Sequence, residues 1–577
     1  MRQASHLRGA AILGLWAGAL MLYLSTVGIV LAFAERNTVT GVLTLGRVML
    51  AVPPLAVGYV AARRIHAVGG PGSRLIGGTL AGAVGGGLLA IGLIIASAVD
   101  IREILVRVSS GLIDFVGFGQ GAAIGAFLNI AFGAVLGLTG AALHAAPPRF
   151  RRPIVAGALG VVVMSMLEPF LRPRLQEFEL GFLSRLLYES RGLSIASALV
   201  VFGIVAGAVV AWRPTRATVR RRLGAAGPEA QSTVRWASIL VLILLLLSLP
   251  QLAGPLLSQV LVLVGLYVLL GLGLNIVVGY AGLLDLGYVA FYAVGSYLTA
   301  LLTSPTSSLG WALPFWVALP IVVVGAAATG LFIGAPVLRL RGDYLAIVTL
   351  GFGEIARILF LSDALKPWFG GTQGILSVAP IFGVSAVDVP LLGWRLTGPT
   401  LTYYPLLLFC IVAAFVASRL KYSRTGRAWN AMREDEDVAE ATGISTVNYK
   451  LLAFALGASV GCLGGAVFST HLQSVFPGSF NILVSITVLA IVILGGMGSI
   501  PGVVVGALAL IGLPELLREF AEFKLLVYGA VLVIMMLLRP EGLIPDYVRR
   551  RELHDEGTDP IAGTGAVGLP AGGGGAS

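Results

Sequence analysis

The sequence predicts an all-α polytopic membrane protein, and three observations support this fold class. The chain has 577 residues, of which 57% are hydrophobic and only 12% are charged, whereas soluble domains contain roughly 45–50% apolar and about 25% charged residues. Its mean hydropathy is +0.93. Apolar runs that could cross a hydrocarbon core of about 30 Å as helices recur along the chain to residue 540. Sheets or loops exposed to lipid are excluded because their backbone polar groups would lack partners.

The apolar runs fall into two groups on either side of a basic linker. Residues 1–212 are predicted to form an N-terminal membrane extension of six spans, and residues 236–545 a core of ten spans. The arginine-rich linker 213–235 marks the boundary, and the Gly-rich tail 546–577 is expected to be disordered. The predicted spans are 9–34, 41–62, 75–98, 119–143, 153–170, 192–212, 236–254, 257–279, 281–302, 312–336, 343–362, 401–419, 448–470, 481–497, 500–518 and 523–539.

Arginine-rich loops predict the orientation. Those near residues 64, 151, 340 and 550, together with the linker, are separated by even numbers of spans and therefore share one side. Cytoplasmic loops carry such an excess of arginine and lysine, so the linker and the C-terminal tail are expected in the cytoplasm and the protein in the cell (inner) membrane. Residues 171–191 mix arginine with glutamate on the opposite side and are predicted to form an amphipathic surface helix.

Composition also excludes several function classes. The formal charge of +11 comes from arginines beside spans, so nucleic acid is not an expected partner. Cys410 and Cys462 lie inside apolar runs, where a disulfide is not expected, and the five histidines show no metal-ligand spacing. No GxxxxGK[ST] phosphate loop is present, so this chain is expected to bind no cofactor. The run Gly9–Ala34 favours a retained helix over a cleaved signal peptide, whose apolar region is about 7–15 residues.

A charged segment, residues 423–444, interrupts the second group of spans. It contains eight charged residues in twenty-two positions, and each Asp or Arg would cost roughly 2.5–3.5 kcal/mol near mid-bilayer. We therefore predict that the segment lies in water on the arginine-rich side. Ala428, Trp429 and Met432 share one helical face, and Gly443 is placed to end the helix. The residues alone leave two alternatives open, a docking helix for a cytoplasmic partner and a solvated loop.

Five stretches of the second half carry a stronger signal through their order and spacing. They are "GLGLNIVVGYAGLLDLGYVAFYAVGSYLTALL" (271–302), "RLRGDYLAIVTLGFGEIARI" (339–358), "GGTQGI" (370–375), the segment 423–444 and "ILGGMGSIPGVVVGALALIGLPELLRE" (493–519). Together they resemble the permease subunits of branched-chain amino acid ABC importers, of the leucine/isoleucine/valine M-subunit type. The resemblance covers about residues 236–545. Val503 and Gln373 depart from it, since the family often has proline and a small or acidic residue there.

The resemblance implies a transport subunit without enzymatic activity. Such a permease translocates branched-chain or related neutral amino acids into the cell by alternating access. The implied partners are a second permease subunit, two cytoplasmic ATPase subunits that bind the ATP, and an extracytoplasmic solute-binding protein. An ion-coupled secondary transporter, or the same permease type with urea or an amide as substrate, is the alternative. The residues that the resemblance assigns to ATPase coupling are Gly426, Arg427, Ala428, Arg433, Glu434, Ala439, Glu440, Gly443 and Ile444.

Four polar residues within apolar runs are candidates for the translocation path. Asn275 and Asp285 lie among glycines, and an ionisable residue at membrane depth indicates function. The alternative for Asp285 is a hydrated structural position in a cytoplasmic hairpin. Glu354 and Arg357 are one turn apart and can pair on one helical face, either along the path or as a tie to a neighbouring helix.

Glycines recur every four residues at Gly498, Gly502 and Gly506. This small-xxx-small pattern allows two membrane helices to approach closely. We therefore predict that the three glycines form a packing face between helices and do not bind a ligand.

Overall fold

In the computed structural model of the protein, ten helices of the described residues are long and apolar enough to cross a membrane. The structure describes residues 2–65, 70–99, 105–177, 181–189, 192–225, 228–337, 342–384, 386–389, 394–516 and 542–545, with positions 526, 529 and 533. Each of the ten helices corresponds to a predicted span, which confirms the all-α multi-pass fold. They are Leu7–Thr26, Leu45–Ile65, Gly72–Ala98, Gly121–Ala145, Leu257–Tyr280, Phe315–Ala335, Tyr344–Leu361, Gly398–Lys421, Thr446–Leu472 and Pro477–Gly495.

The other predicted spans differ from the structure. The span predicted at 153–170 lies in a helix that begins with an arginine-rich turn and ends at Met166. The last, 523–539, lies outside the described residues apart from three single positions. The remaining four form shorter apolar helices, which are Ile195–Ala211, Leu240–Gln251, Val289–Thr303 and Ile500–Glu515.

The chain divides into two compact units, Met1–Ile243 and Leu244–Ser577. In the first unit the predicted span 9–34 is broken at Gly28, whose φ of 91° separates two helices. The elements of the first unit are α1 (Arg2–Thr26), α2 (Ile29–Ala34), β1 (Asn37–Val39), β2 (Leu43–Thr44), α3 (Leu45–Ile65), α4 (Pro71–Ala98), α5 (Ser110–Val116), α6 (Gly121–Ala145), α7 (Pro148–Met166), α8 (Glu168–Glu177), α9 (Gly181–Leu187), β3 (Tyr188–Glu189), β4 (Gly192–Leu193) and α10 (Ile195–Ala225).

Glycines hold the helices α4 and α6 of the first unit in close contact. A Cβ atom on Gly82 would lie 2.0 Å from the carbonyl oxygen of Gly133, and one on Gly86 would lie 2.2 Å from that of Asn129. Membrane helices pack in this way when small residues let their backbones approach. The packing of this unit therefore depends on glycines rather than on bulky side chains at the α4–α6 contact.

A small sheet with strand order β2-β1-β4-β3 joins distant parts of the first unit. β1 runs parallel to β4, and the other two pairs are antiparallel. Arg36, just before β1, lies 3.9 Å from the carboxylate of Glu168. Burial and, to a lesser degree, the negative charge of Glu168 raise the pKa of Tyr188 to about 12. The predicted amphipathic helix at 171–191 is replaced by the short helices α8 and α9 and the strand β3.

The second unit begins within a long helix that combines two predicted spans. Gly254, with φ 82° and ψ 177°, kinks this helix between the two. The elements of the second unit are α11 (Pro228–Leu274), α12 (Val289–Thr303), α13 (Phe315–Val337), α14 (Asp343–Leu361), α15 (Lys366–Phe369), β5 (Ile375–Leu376), β6 (Ala386–Val389), β7 (Trp394–Thr397), α16 (Gly398–Lys421), α17 (Arg424–Glu434), α18 (Glu436–Ala441), α19 (Thr446–Leu472), β8 (Ser474–Val475), α20 (Ile482–Gly495), α21 (Ile500–Ala507) and α22 (Leu513–Leu516).

Helix α12 lies in the core of the second unit and packs against α19. A Cβ atom on Gly295 would lie 2.2 Å from the carbonyl oxygen of Cys462, so the two backbones are in contact. The buried hydroxyl of Ser296 donates to the carbonyl of Gly465 at 2.9 Å. Cys462 and Cys410 are both free thiols, in α19 and α16. Two short antiparallel strand pairs, β5 with β8 and β6 with β7, complete the unit.

Candidate functional site

The charged segment folds as two short helices, α17 and α18, instead of the one predicted. Ser423 starts α17, since its Oγ accepts a hydrogen bond from the backbone N–H of Gly426 at 3.2 Å. Asp435 is extended, with φ −156° and ψ 113°, and separates the helices. Its carboxylate accepts bonds from the N–H groups of Asp437 and Val438 at 2.9 and 3.0 Å. These are N-cap interactions, and Asp and Ser are among the preferred residues for them.

Gly443 ends α18 as predicted. Its φ is 87°, and its N–H donates to the carbonyl of Glu440 at 2.9 Å. The N–H of Ile444 donates to the carbonyl of Ala439 at 3.1 Å. This pair of bonds around a left-handed glycine is the Schellman motif, so the predicted C-cap is confirmed.

The apolar face of α17 packs inside this chain. Trp429 has no exposed surface, and its indole N–H donates to the carbonyl of Tyr449 at 2.8 Å. Ala428 and Met432 are buried beside it. A helix that used this face to dock a partner would expose these residues; instead, the apolar face anchors α17 to its own membrane unit.

The nine predicted coupling residues separate by exposure. Gly426, Ala428 and Ala439 are buried, so their contacts are with this chain and their side chains do not face a partner. Gly426 also needs to be glycine, since a Cβ atom there would lie 2.3 Å from the carbonyl oxygen of Leu420. The exposed and half-buried members, which form the accessible surface of the segment, are Arg427, Arg433, Glu434, Glu440, Gly443 and Ile444.

Arg433 and Glu436 connect the charged segment to the membrane part of the unit, and Lys421, two residues before the segment, makes a further contact. Arg433 donates to the carbonyl of Gly279 at 3.0 Å, and Lys421 donates to that of Gly498 at 3.0 Å. The buried Lys450, in α19, pairs with Glu436 at 2.5 Å. Sequence reasoning missed both lysines, although a lysine inside the predicted span 448–470 was an available signal. Arg433, Glu436 and Lys450 also border a polar cavity of about 160 Å³.

The second unit matches a known family of membrane proteins. The family described as the permease component of branched-chain amino acid transport systems matches residues 256–537. The chain is 43% identical over 295 residues to the high-affinity branched-chain amino acid transport system permease protein LivM of Escherichia coli (strain K12), covering 48% of this chain and 68% of the relative. The chain belongs to this permease family.

Two further relatives match a similar length of this chain. The LivM protein of Salmonella typhimurium (strain LT2) is 42% identical, with the same coverage. The LivH permease protein of Escherichia coli (strain K12) is 26% identical over 298 residues, covering 48% of this chain and 91% of the relative. Comparison with the solved structures found no match.

Asp285, one of the polar residues predicted for the path, lies in the non-helical turn that precedes α12 in the permease unit. Residues 281–288 of the predicted span 281–302 are not α-helical, and α12 begins at Val289. Asp285 is 1% exposed, so the hydrated position considered for it is wrong. Its carboxylate accepts a bond from the N–H of Gly287 at 2.9 Å.

Two further side chains complete this helix start. Thr349 of α14 accepts a bond from the N–H of Leu286 at 3.1 Å, and Ser485 of α20 accepts one from that of Val289 at 2.9 Å. Non-helical backbone within a membrane protein needs such partners because lipid offers none. Three elements of the permease unit therefore hold the start of α12.

Replacing Asp285 by alanine is expected to lower the free energy of unfolding by about 0.5–1.5 kcal/mol, the usual net contribution of one hydrogen bond. Asp285→Asn keeps an oxygen that can accept the bond from Gly287 and is expected to lose less. The measurement is the Tm of the purified full chain in detergent. Equal losses for both variants would contradict this role of the accepted bond, since they would show that the charge matters and the bond does not.

The other predicted path residues differ in exposure. Asn275 is completely buried and accepts a bond from the N–H of Gly498 at 2.8 Å. Glu354 and Arg357 form the predicted pair, with Arg357 Nε 3.0 Å from a carboxylate oxygen. The side chains of this pair are 41% and 29% exposed, respectively. The pair therefore lies on a face of α14 that the described part of this chain leaves open.

Two of the three predicted packing glycines contact α20. A Cβ atom on Gly502 would lie 2.5 Å from the carbonyl oxygen of Gly495, and one on Gly506 would lie 2.4 Å from that of Ile491. Gly498 differs from the prediction because it precedes α21. It lies in the turn after α20 with a φ of 79°, a conformation that favours glycine.

Proposed function

We propose that this chain is the permease subunit of an ABC importer that moves branched-chain or related neutral amino acids into the cell by alternating access. The family membership and the named transport systems of its relatives support the substrate class. The observation that carries the proposal is the charged pair of helices, α17 and α18. They expose Arg427, Glu434 and Glu440 and are anchored to the membrane unit through Trp429. Such an arrangement suits a lever moved by another subunit.

Two cytoplasmic ATPase subunits are the proposed source of that movement. They bind and hydrolyse the ATP, and the exposed charges of α17 and α18 set the register of docking by complementarity. The ATPases can shift the equilibrium between the inward- and outward-open states of the permease only by the difference between their binding free energies for the two states. A second permease subunit and an extracytoplasmic solute-binding protein complete the complex. In this proposal the complex lies in the cell membrane, with α17, α18 and the C-terminus in the cytoplasm.

The exposed ion pair on α14 supports a position for the translocation path. Glu354 and Arg357 lie in the second half of the 19-residue helix α14, next to the exposed Ile355 and Ile358. Each charge would cost roughly 2.5–3.5 kcal/mol if it faced lipid near mid-bilayer. Ionisable residues in membrane helices usually face protein or a water-filled path. We therefore place this face of α14 along the solute path at the second permease subunit.

Uptake by the reconstituted complex tests this function. We expect labelled leucine to enter vesicles only when ATP, the ATPases and the binding protein are all present, because the permease has no energy source of its own. Urea and other amino acids, added as competitors, define the substrate class. Uptake without nucleotide would contradict the importer and favour an ion-coupled transporter, whereas uptake of urea without leucine would correct the substrate alone.

A cross-linking experiment tests the docking surface in the same complex. A cysteine introduced at Glu434 is expected to cross-link to an ATPase subunit. The control is a cysteine at Trp368, which is 53% exposed. Trp368 follows the C-terminal end of α14, which this proposal places on the extracytoplasmic side. Cross-links from Trp368 and none from Glu434 would reverse the proposed orientation.

A further inference from the structure

The end of α11 changes to a π-helical turn, Asn275–Tyr280, whose six residues are all buried. The N–H of Ala281 donates to the carbonyl of Ile276, five residues earlier, at 3.3 Å. Such turns are rare in proteins and occur frequently at functional sites. The question is therefore what this π-turn contacts.

On one side the π-turn contacts α17. Arg433 Nη1 donates to the carbonyl of Gly279 at 3.0 Å. The aliphatic part of the arginine lies directly against Gly282, where a Cβ atom would be 2.5 Å from Arg433 Cγ. Gly282 has a φ of 72°, which favours glycine for a second reason. Arg433 therefore connects α17 to the π-turn by a hydrogen bond and to the residue two positions after it by a close contact.

On the other side the π-turn contacts the turn between α20 and α21. The side-chain oxygen of Asn275 accepts a bond from the N–H of Gly498 at 2.8 Å. Gly279 leaves room for this bond, since a Cβ atom there would lie 2.1 Å from that oxygen and 2.7 Å from the Gly498 nitrogen. Gly279 thus lies between Arg433 and the Asn275–Gly498 bond.

Lys421 makes a third contact, with the turn between α20 and α21. It is the last residue of α16, three positions before α17 begins. Its ammonium group donates to the carbonyl of Gly498 at 3.0 Å. The π-turn is therefore held by Arg433 near the end of α17, and the Gly498 turn by Lys421 at the end of α16.

The amide nitrogen of Asn275 adds a reason to expect a second arrangement. It is buried and has no hydrogen-bond partner among the described residues. Buried polar groups are nearly always paired, so an unpaired donor calls for an explanation. A conformation in which the π-turn shifts against its neighbours could satisfy it, as expected of an element with two discrete packings.

We propose that Arg433, Asn275 and Lys421 form a hydrogen-bonded relay that transmits the movement of α17 to the π-turn and to the turn between α20 and α21. This inference rests on the proposed function, because it assumes that an ATPase moves α17. The three are positioning residues, since none of them needs to touch solute or nucleotide for this role. Their effect is on the coupling between ATP hydrolysis and transport.

The test uses the reconstituted complex and measures leucine taken up per ATP hydrolysed. Asn275→Leu keeps the side-chain volume and removes the acceptor for Gly498. We expect the ratio to fall about tenfold, within the range of roughly 5–150-fold for coupling between sites, while ATPase subunits remain bound. Ser296→Ala is the matched control. It removes a buried bond from α12 to the carbonyl of Gly465, outside the relay, and should leave the ratio within about twofold.

The outcomes separate the relay from the proposed function. A wild-type complex without ATP-dependent uptake would contradict the proposed function itself. A wild-type complex that transports, with an intact Asn275→Leu complex of unchanged ratio, would overturn the relay alone. An equal fall for Ser296→Ala would also overturn it. If Asn275→Leu does not assemble, Lys421→Met decides, because it removes the donor to Gly498 at the end of α16: a lower ratio supports the relay, and an unchanged ratio overturns it.

Discussion

Replacing Gly506 by alanine is expected to lower the free energy of unfolding of the chain by about 1–3 kcal/mol, the usual cost of overpacking. The new Cβ atom would lie 2.4 Å from the carbonyl oxygen of Ile491 and 3.2 Å from backbone atoms of Gly495. These are backbone atoms of α20, so no side chain can rotate out of the way. The helices α20 and α21 would have to separate, which would also disturb the nearby contact of Gly502 with Gly495.

The matched control is Gly351→Ala in α14. Nothing lies within 4 Å of a Cβ atom at Gly351, so alanine should be neutral or should stabilise the helix by about 0.5–1 kcal/mol through its better propensity. The two substitutions are chemically identical and differ only in their surroundings. Thermal unfolding of the two purified variants in detergent measures the difference. Similar Tm values would show that the α20–α21 contact relaxes at little cost.

The positions of the long membrane helices follow from the sequence because the cost of placing polar groups in lipid is local. A run of apolar residues of sufficient length has few alternatives to a membrane helix, and ten predicted spans correspond to helices of the described residues. The breaks do not follow in the same way. The break at residues 281–288 depends on Thr349 and Ser485, which accept bonds from the backbone N–H groups of Leu286 and Val289 and are far away in the chain.

The candidate site was predictable to a similar extent. The charge of the segment 423–444 excludes it from lipid wherever it lies, so its position in water could be predicted. The direction of its apolar face could not, because Trp429 is equally suited to a partner or to its own unit. The contacts of the relay are also non-local. Arg433 and Gly279 are 154 residues apart in sequence, and Lys421 and Gly498 are 77 apart.

Trp429→Ala is expected to cost about 3–5 kcal/mol, as for other large-to-small substitutions of buried aromatic residues. Trp429 is completely buried in the second unit, and the substitution would also leave the carbonyl of Tyr449 without its bond from the indole N–H. Helix α17 has only 11 residues, and isolated helices shorter than about 12–15 residues are marginal in water. Without this anchor α17 should detach while the long membrane helices remain inserted.

Detachment predicts a specific loss of transport. A lever that is no longer held against its unit cannot transmit movement, so uptake by the Trp429→Ala complex should fall to less than about a tenth of wild type, equivalent to about 1.4 kcal/mol of lost coupling. Limited proteolysis should at the same time cut within residues 423–444. Trp429→Phe keeps an aromatic ring but loses part of the buried ring volume and the N–H donor, which is worth about 0.5–1.5 kcal/mol, and should transport at an intermediate rate.

Tyr422→Ala is the control for loss of an aromatic side chain near α17. Tyr422 is 78% exposed, so its truncation removes little buried surface and should leave uptake and protease resistance close to wild type. Normal uptake by Trp429→Ala, with α17 still protected from protease, would show that the remaining contacts suffice to hold the helix. Arg433 and the Lys450–Glu436 pair would then carry the anchoring that we assign to Trp429, because they also connect this segment to the π-turn after α11 and to α19.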